Sequence, residues 1–307
     1  MGSGAFSCCD AIAASKVSEF SLASPKNKTL REPSELRSSF IPSSIQSQAE
    51  FRIPNIDQHI MLLQSLSSSK SLRLKVINSG NIEKGTLLNI RATGLIGSKR
   101  NSNDGYTYFG SKRKLNGAIV NDFVIPLKDQ ETKENHRGRH FVIYYRIDKD
   151  SYWIRDLSKG FGAFVRLDYA LILKDNMLIN LGESFLVVNL VSTPECSPPK
   201  LSLKMYTGSA GGEVWSFHAA QHVNSHILVG RSLNCNIKIE DPLLSKIQCS
   251  VFYNPVSGWT LMDGDVGSQK SSTNGTWLYL NEDFEIYNGM IFKSNQTLFQ
   301  AMLIWGS

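Results

Sequence analysis

Near the C-terminus, a few side chains have the types and spacing needed to hold a doubly charged anion. Arg231 follows Gly230 at the end of the apolar run Ile227-Leu228-Val229, Ser245 and Lys246 fall in a later polar turn, and Thr273 stands beside Asn274-Gly275. A guanidinium supplies a planar fork of donors and a serine hydroxyl a compact one; lysine adds charge or a backbone amide, and threonine a second hydroxyl. An anion that suits this set is a phosphorylated side chain, which carries about −1.5 to −2 charges near pH 7 and three strong acceptor oxygens. Asn274 and Gly275 both tolerate positive φ, so a tight turn can stand next to Thr273.

Taken singly, each residue has a plain structural reading: Arg231 caps a strand end, Ser245 starts a turn, and Asn274-Gly275 closes a hairpin. Their order carries more. Between Ile227 and Met302 run Gly230-Arg231-Ser232, Ile237-Lys238-Ile239, Leu244-Ser245-Lys246-Ile247-Gln248-Cys249, Trp259-Thr260-Leu261-Met262-Asp263 and Thr273-Asn274-Gly275-Thr276-Trp277. This stretch resembles the forkhead-associated (FHA) domain, a two-sheet β-sandwich whose end loops bind phosphothreonine peptides. The resemblance implies that Arg231 and Ser245 contact the phosphate, that Lys246 and Thr273 support the contact, and that Asn274 holds the peptide backbone. Gly230 and Gly275 would be architectural. The family pattern usually has His where Gln248 stands; that position belongs to the scaffold, and an amide can still brace backbone groups.

The elements that must position these residues read as strands. Leu72-Arg73-Leu74-Lys75-Val76, Phe141-Val142-Ile143-Tyr144-Tyr145, Phe185-Leu186-Val187-Val188 and Ser250-Val251-Phe252-Tyr253 are short apolar or alternating runs between turn residues, and no long helical period appears. The predicted fold class is all-β: two tandem FHA-like sandwiches after a Ser-rich N-terminal arm. The arm, residues 1–69, lacks the apolar order to offset chain entropy, apart from a short amphipathic helix near 56–66 that packs on the next unit. Residues 70–192 form the first sandwich, the proline-rich 193–200 a linker, and 201–307 the FHA domain. Gly162 and Gly275, Met177 and Met290, and Phe185 and Leu298 each differ by 113, which supports a repeat.

The first unit loses the ligands one by one. Ser111 follows Gly110 where Arg231 follows Gly230; Arg137 stands three before His140 where Ser245 stands three before Gln248; and Phe161-Gly162-Ala163 replaces Asn274-Gly275-Thr276. It reads as a degenerate FHA-like domain, a packing partner or else an anion surface built from Lys112, Arg113, Lys114, Arg137 and Arg139. The net charge of +6 belongs to this unit: residues 70–192 carry 20 basic and 12 acidic side chains, against seven and nine in 193–307. The basic stretches lack the interleaved aromatics of a single-strand groove, which argues against nucleic acid.

Other chemistry finds little support. His218, His222 and His226 recur every fourth residue, but they lead into a strand, which argues against a metal site. There is no Walker loop, nucleophile elbow, kinase set or paired-carboxylate motif, so the reading is non-enzymatic, with no cofactor. The five cysteines are too few for a disulfide framework and point to an intracellular chain, cytoplasmic or nuclear. No apolar run reaches spanning length. Gly2 with Cys8 and Cys9 suggests myristoylation plus palmitoylation and membrane association, but Phe6 stands where the acceptor pattern calls for Ser or Thr; the other reading is an unmodified end. Two functions follow: an adaptor that binds a threonine-phosphorylated protein through its C-terminal domain, or an assembly module indifferent to phosphorylation.

Overall fold

The computed structural model describes residues 56–66, 70–100, 104–126, 138–158, 162–193, 196–207 and 212–305, which all lie in one compact unit. Gly2, Cys8, Cys9 and Arg137 fall outside the described residues. Among the described residues, one α-helix, α1 (Ile56–Leu66), precedes the strands and buries Leu63 completely. The first half contributes β1 (Lys70–Asn78), β2 (Leu87–Arg91), β3 (Gly94–Leu95), β4 (Tyr106–Gly110), β5 (Lys114–Leu115), β6 (Ala118–Ile119), β7 (Phe123–Val124), β8 (Arg139–Arg146), β9 (Ser151–Asp156), β10 (Ala163–Arg166), β11 (Leu171–Ile172), β12 (Leu178–Leu181) and β13 (Ser184–Thr193). The second contributes β14 (Cys196–Thr207), β15 (Val214–Phe217), β16 (Ile227–Gly230), β17 (Ile237–Lys238), β18 (Cys249–Asn254), β19 (Gly258–Asp263), β20 (Trp277–Tyr279), β21 (Phe284–Glu285), β22 (Ile291–Ser294) and β23 (Thr297–Trp305). The chain is all-β, as its alternating patterns predict. In β1, Leu72, Leu74 and Val76 are buried while Arg73 and Lys75 are not, the two-residue period of a strand with one face on a core.

The strand order departs from two sandwiches in series. Eleven strands make one sheet, ordered β15-β14-β13-β12-β20-β10-β22-β23-β1-β2-β3, and two five-stranded sheets, β11-β19-β18-β16-β17 and β21-β9-β8-β4-β7, pack against it. Each half lends its last strands to the other. β22 and β23 sit between β10 and β1, and β21 extends the sheet of β9; reciprocally, β12 and β13 sit between β20 and β14, and β11 extends the sheet of β19. The halves meet at β10 and β20, whose antiparallel register centres on Val165 opposite Leu278.

The exchange is reciprocal at single hydrogen bonds. The Leu167 N–H donates to the Thr276 carbonyl at 2.8 Å, and the Leu280 N–H to the Ala163 carbonyl at 3.0 Å; both donors and both acceptors are 113 residues apart. In place of a free linker at 193–200, β13 and β14 pair directly, from Ser184 opposite Thr207 to Thr193 opposite Cys196. Prolines 198 and 199 are accommodated in β14, within a stretch where the register shifts.

The core follows the exchanged strands. Phe109 and Phe141 of the first half stack at 4.4 Å between ring centres and meet Phe292 and Phe299 of the second, Phe141 against Phe292 at 5.7 Å. One continuous cluster of buried side chains, including Val165, Ile179, Leu278 and Phe292, joins all three large sheets. Phe164, Leu178, Phe185, Trp277 and Tyr279 alternate with those residues along the same strands and form a second cluster on the opposite face of the long sheet. Burying a large apolar side chain stabilises by roughly 1.5–3 kcal/mol, so a core composed from both halves ties their stabilities together.

Candidate functional site

The loops after β16, before β18 and before β20 meet at one end of the second sandwich. β16 ends at Gly230 because the backbone of the next loop passes over it: a Cβ there would stand 2.4 Å from the Lys246 carbonyl oxygen. Beyond it, the Arg231 N–H donates to the Ser245 carbonyl at 3.2 Å and the Ser232 N–H to the Lys246 carbonyl at 3.1 Å. The Cys235 thiol, from the same loop, donates to that Lys246 carbonyl. These bonds fix the start of the Arg231 loop against the loop that carries Ser245 and Lys246.

The third loop joins through hydroxyls. Ser245 Oγ accepts the Thr273 N–H at 2.9 Å and lies 3.3 Å from Thr273 Oγ1. Arg231, Lys246, Thr273 and Asn274 are exposed and Ser245 is half-buried, so a hydroxyl pair and two cation-bearing loops reach solvent together. Neither Arg231 nor Lys246 forms an ion pair among the described residues. Gly275, at φ +78°, closes the turn after Asn274 in a conformation that favours glycine.

Beneath the hydroxyls lies a fully buried brace. Gln248 Oε1 accepts the Ser245 N–H at 3.0 Å, while its Nε2 donates to Ser272 Oγ and to the Gly275 carbonyl, both at 2.9 Å. The Ser272 hydroxyl donates in turn to Asp263 Oδ1 at 2.6 Å, and the Ser272 N–H to Oδ2. A planar amide with an acceptor and donors can link both loops at once, which is what this position requires. Asn274 is used locally: its Nδ2 donates to the Leu243 carbonyl at 2.6 Å, tying the turn to the Ser245 loop.

The first half supports the same loops. The nearly buried Asp241 accepts the Leu243 N–H at 2.8 Å and, from the turn between β12 and β13, the Glu183 N–H at 3.1 Å. On the other side, the Arg166 side chain of β10 lies against Gly275. Asp241, Ser272, Asp263 and Arg166 escaped the sequence reading. Their residue types are common in turns, and nothing in their spacing announces a shared loop cluster.

Residues 227–294 match the family model of the FHA domain. No curated protein matches the chain. The FHA domain is a phosphothreonine-binding interaction module, and the match includes the loops of Arg231, Ser245 and Thr273. The FHA segment, continuous in sequence, is divided in space. Its β16–β19 form four strands of one five-stranded sheet and its β20 lies at the seam, whereas β21 and β22 complete the sandwich of the first half. The FHA loops therefore stand on a sandwich whose β11, β12 and β13 come from residues before the match.

The basic residues of the first half are placed differently from one another. Arg113 and Lys114 are exposed beside the short β5–β6 ribbon, while the Lys112 stem packs against Gly138. Arg139 turns inward: its Nε donates to the Val120 carbonyl at 3.1 Å and its guanidinium lies 3.9 Å from the centre of the Tyr108 ring. Arg100 covers the same ring and pairs with Asp104 and Asp122. His140, fully buried as Gln248 is, has its Nδ1 3.5 Å from Ser294 Oγ of β22.

Elsewhere, His222 is engaged by Ser225 and packs between Phe217 and Trp259, and burial holds its imidazole below the usual range. Burial pushes the Cys249 thiol well above the ordinary thiol range, which keeps it protonated. Among the described residues no cluster of His, Cys, Asp or Glu could hold a metal, and no helix is long and apolar enough to cross a membrane.

Proposed function

We propose that the chain is an adaptor that binds threonine-phosphorylated protein segments at the FHA loops of its second half. The supporting observation is the junction of three loops at Ser245: its carbonyl fixes Arg231, its hydroxyl accepts the Thr273 N–H, and Arg231 and Lys246 stay exposed without ion pairs among the described residues. Arg231 and Ser245 would contact the phosphate directly. Lys246 would add charge, and Thr273 a second hydroxyl. A phosphate dianion converts these separate donors into charge-assisted hydrogen bonds, the stronger kind. Asn274, held to Leu243, would offer its side-chain oxygen and remaining N–H to the peptide backbone.

The first half acts in this reading as a degenerate sandwich that completes the second one, and of Lys112, Arg113, Lys114 and Arg139 the exposed pair is Arg113 and Lys114. Fluorescence anisotropy with a phosphothreonine peptide library tests the reader function. Arg231→Ala should weaken binding at least tenfold, since hydrogen bonds to charged groups contribute about 1.5–3 kcal/mol and 1.4 kcal/mol is a decade. Equal affinity for unphosphorylated peptides would eliminate the reading in favour of a phosphorylation-independent assembly module.

A further inference from the structure

We infer that Arg166, brought to the FHA loops from the first half by the strand exchange, is a second recognition arginine that holds main-chain carbonyls of the bound segment. The inference rests on the phosphothreonine reading above. Arg166 ends β10, opposite Trp277 of β20, and the Trp277 indole N–H donates to the Asn274 carbonyl at 3.0 Å. The arginine stem and Nε lie across Gly275: a Cβ built there would meet Arg166 Nε at 3.1 Å and its Cγ at 3.2 Å. The guanidinium thus flanks the turn that presents Thr273 and Asn274.

Arg166 also differs from the other half-buried arginines. Arg100 pairs with two aspartates, Arg155 with Asp283, and Arg139 with a carbonyl and a tyrosine ring. Arg166 is half-buried, yet its side chain has no ion pair or hydrogen bond among the described residues. A partly desolvated fork of donors without acceptors favours a ligand that brings them. Space is available: Arg166 lines a cavity of about 240 Å³ with Tyr169, Met262 and Ser271.

The lining decides which acceptor. Asp168 and Asp263 border the same cavity, with Asp168 accepting from the Tyr287 hydroxyl and Asp263 from Ser272. Two carboxylates bordering the cavity disfavour a further acidic side chain in it. Neutral carbonyl oxygens meet no such repulsion and suit the planar fork. Asn274 has one amide N–H committed to Leu243, so a neighbouring donor beside the turn adds capacity the asparagine lacks.

The test uses the full-length chain and a panel of phosphothreonine peptides with varied flanking residues, measured by anisotropy alongside thermal melts. Arg166→Met should weaken every phosphopeptide about tenfold, whatever its flanks. Arg166→Gln, which keeps a neutral donor and serves if the methionine variant is destabilised, should lose less at an unchanged melting temperature. Unchanged affinity in both variants overturns the inference, as does a loss confined to peptides carrying Asp or Glu. Failure of the wild type to distinguish phosphorylated from unphosphorylated peptides instead removes the reader function itself.

Discussion

The Gln248 side chain donates to the Gly275 carbonyl, 27 positions further along the chain, at 2.9 Å from a position with no solvent exposure. Through Ser245 and Ser272 the same amide holds both loops of the candidate phosphate site. Replacing it with an apolar residue of similar size takes the partner from the Ser245 N–H and from the Gly275 carbonyl, while the Ser272 hydroxyl keeps its bond to Asp263. Gln248→Leu should therefore cost about 2–4 kcal/mol of stability in urea titrations. Phosphopeptide affinity should fall with it; a variant with wild-type stability would show the brace to be dispensable.

Gly230 provides the second expectation. Its Cβ position is occupied by the Lys246 carbonyl at 2.4 Å and the Gln248 nitrogen at 2.9 Å, backbone atoms that cannot rotate away. Gly230→Ala must push apart the two loops that Arg231 and Ser245 stand on. Overpacking of this kind costs about 1–3 kcal/mol, visible as a lowered melting temperature. Retention of both stability and peptide affinity would contradict the close approach.

The strand exchange predicts behaviour that two sandwiches in series would not show. A protease site placed at residues 194–195, between β13 and β14, should allow cleavage without separation. The fragments remain joined through β1·β23, β10·β20, β12·β20, β9·β21 and β11·β19. On size-exclusion chromatography they should co-elute under native conditions and part only in denaturant. Two independently migrating fragments in native buffer would refute the exchange.

His222 gives a pH dependence whose sign follows from its burial. Its imidazole sits below the ordinary value of 6.5 because burial disfavours the charged form. The unfolded chain therefore binds the proton more readily. The stability this contributes is present above the unfolded value and is lost as pH falls through 6.5 toward the lower folded value. Urea midpoints at pH 7 and pH 5 should drop more in the wild type than in His222→Asn; equal drops would show that the imidazole carries no linkage.

The alternation of apolar and polar residues sufficed to read an all-β chain, because a strand with one buried face imposes a period of two. The stretch that carries the candidate site was also legible, since Arg231, Ser245, Thr273 and the Asn274-Gly275 turn lie within the continuous segment that the FHA model matches. Which strands would pair was not. Residues 113 apart, such as Leu167 and Leu280 or Ala163 and Thr276, occupy similar positions in both halves, so each final strand suits either sandwich in sequence pattern. Only the three-dimensional packing selected the exchanged arrangement, with Phe292 and Phe299 against Phe109 and Phe141. That choice placed Arg166 and the Glu183 turn beside the candidate site loops, through contacts between residues more than fifty positions apart that no local periodicity encodes.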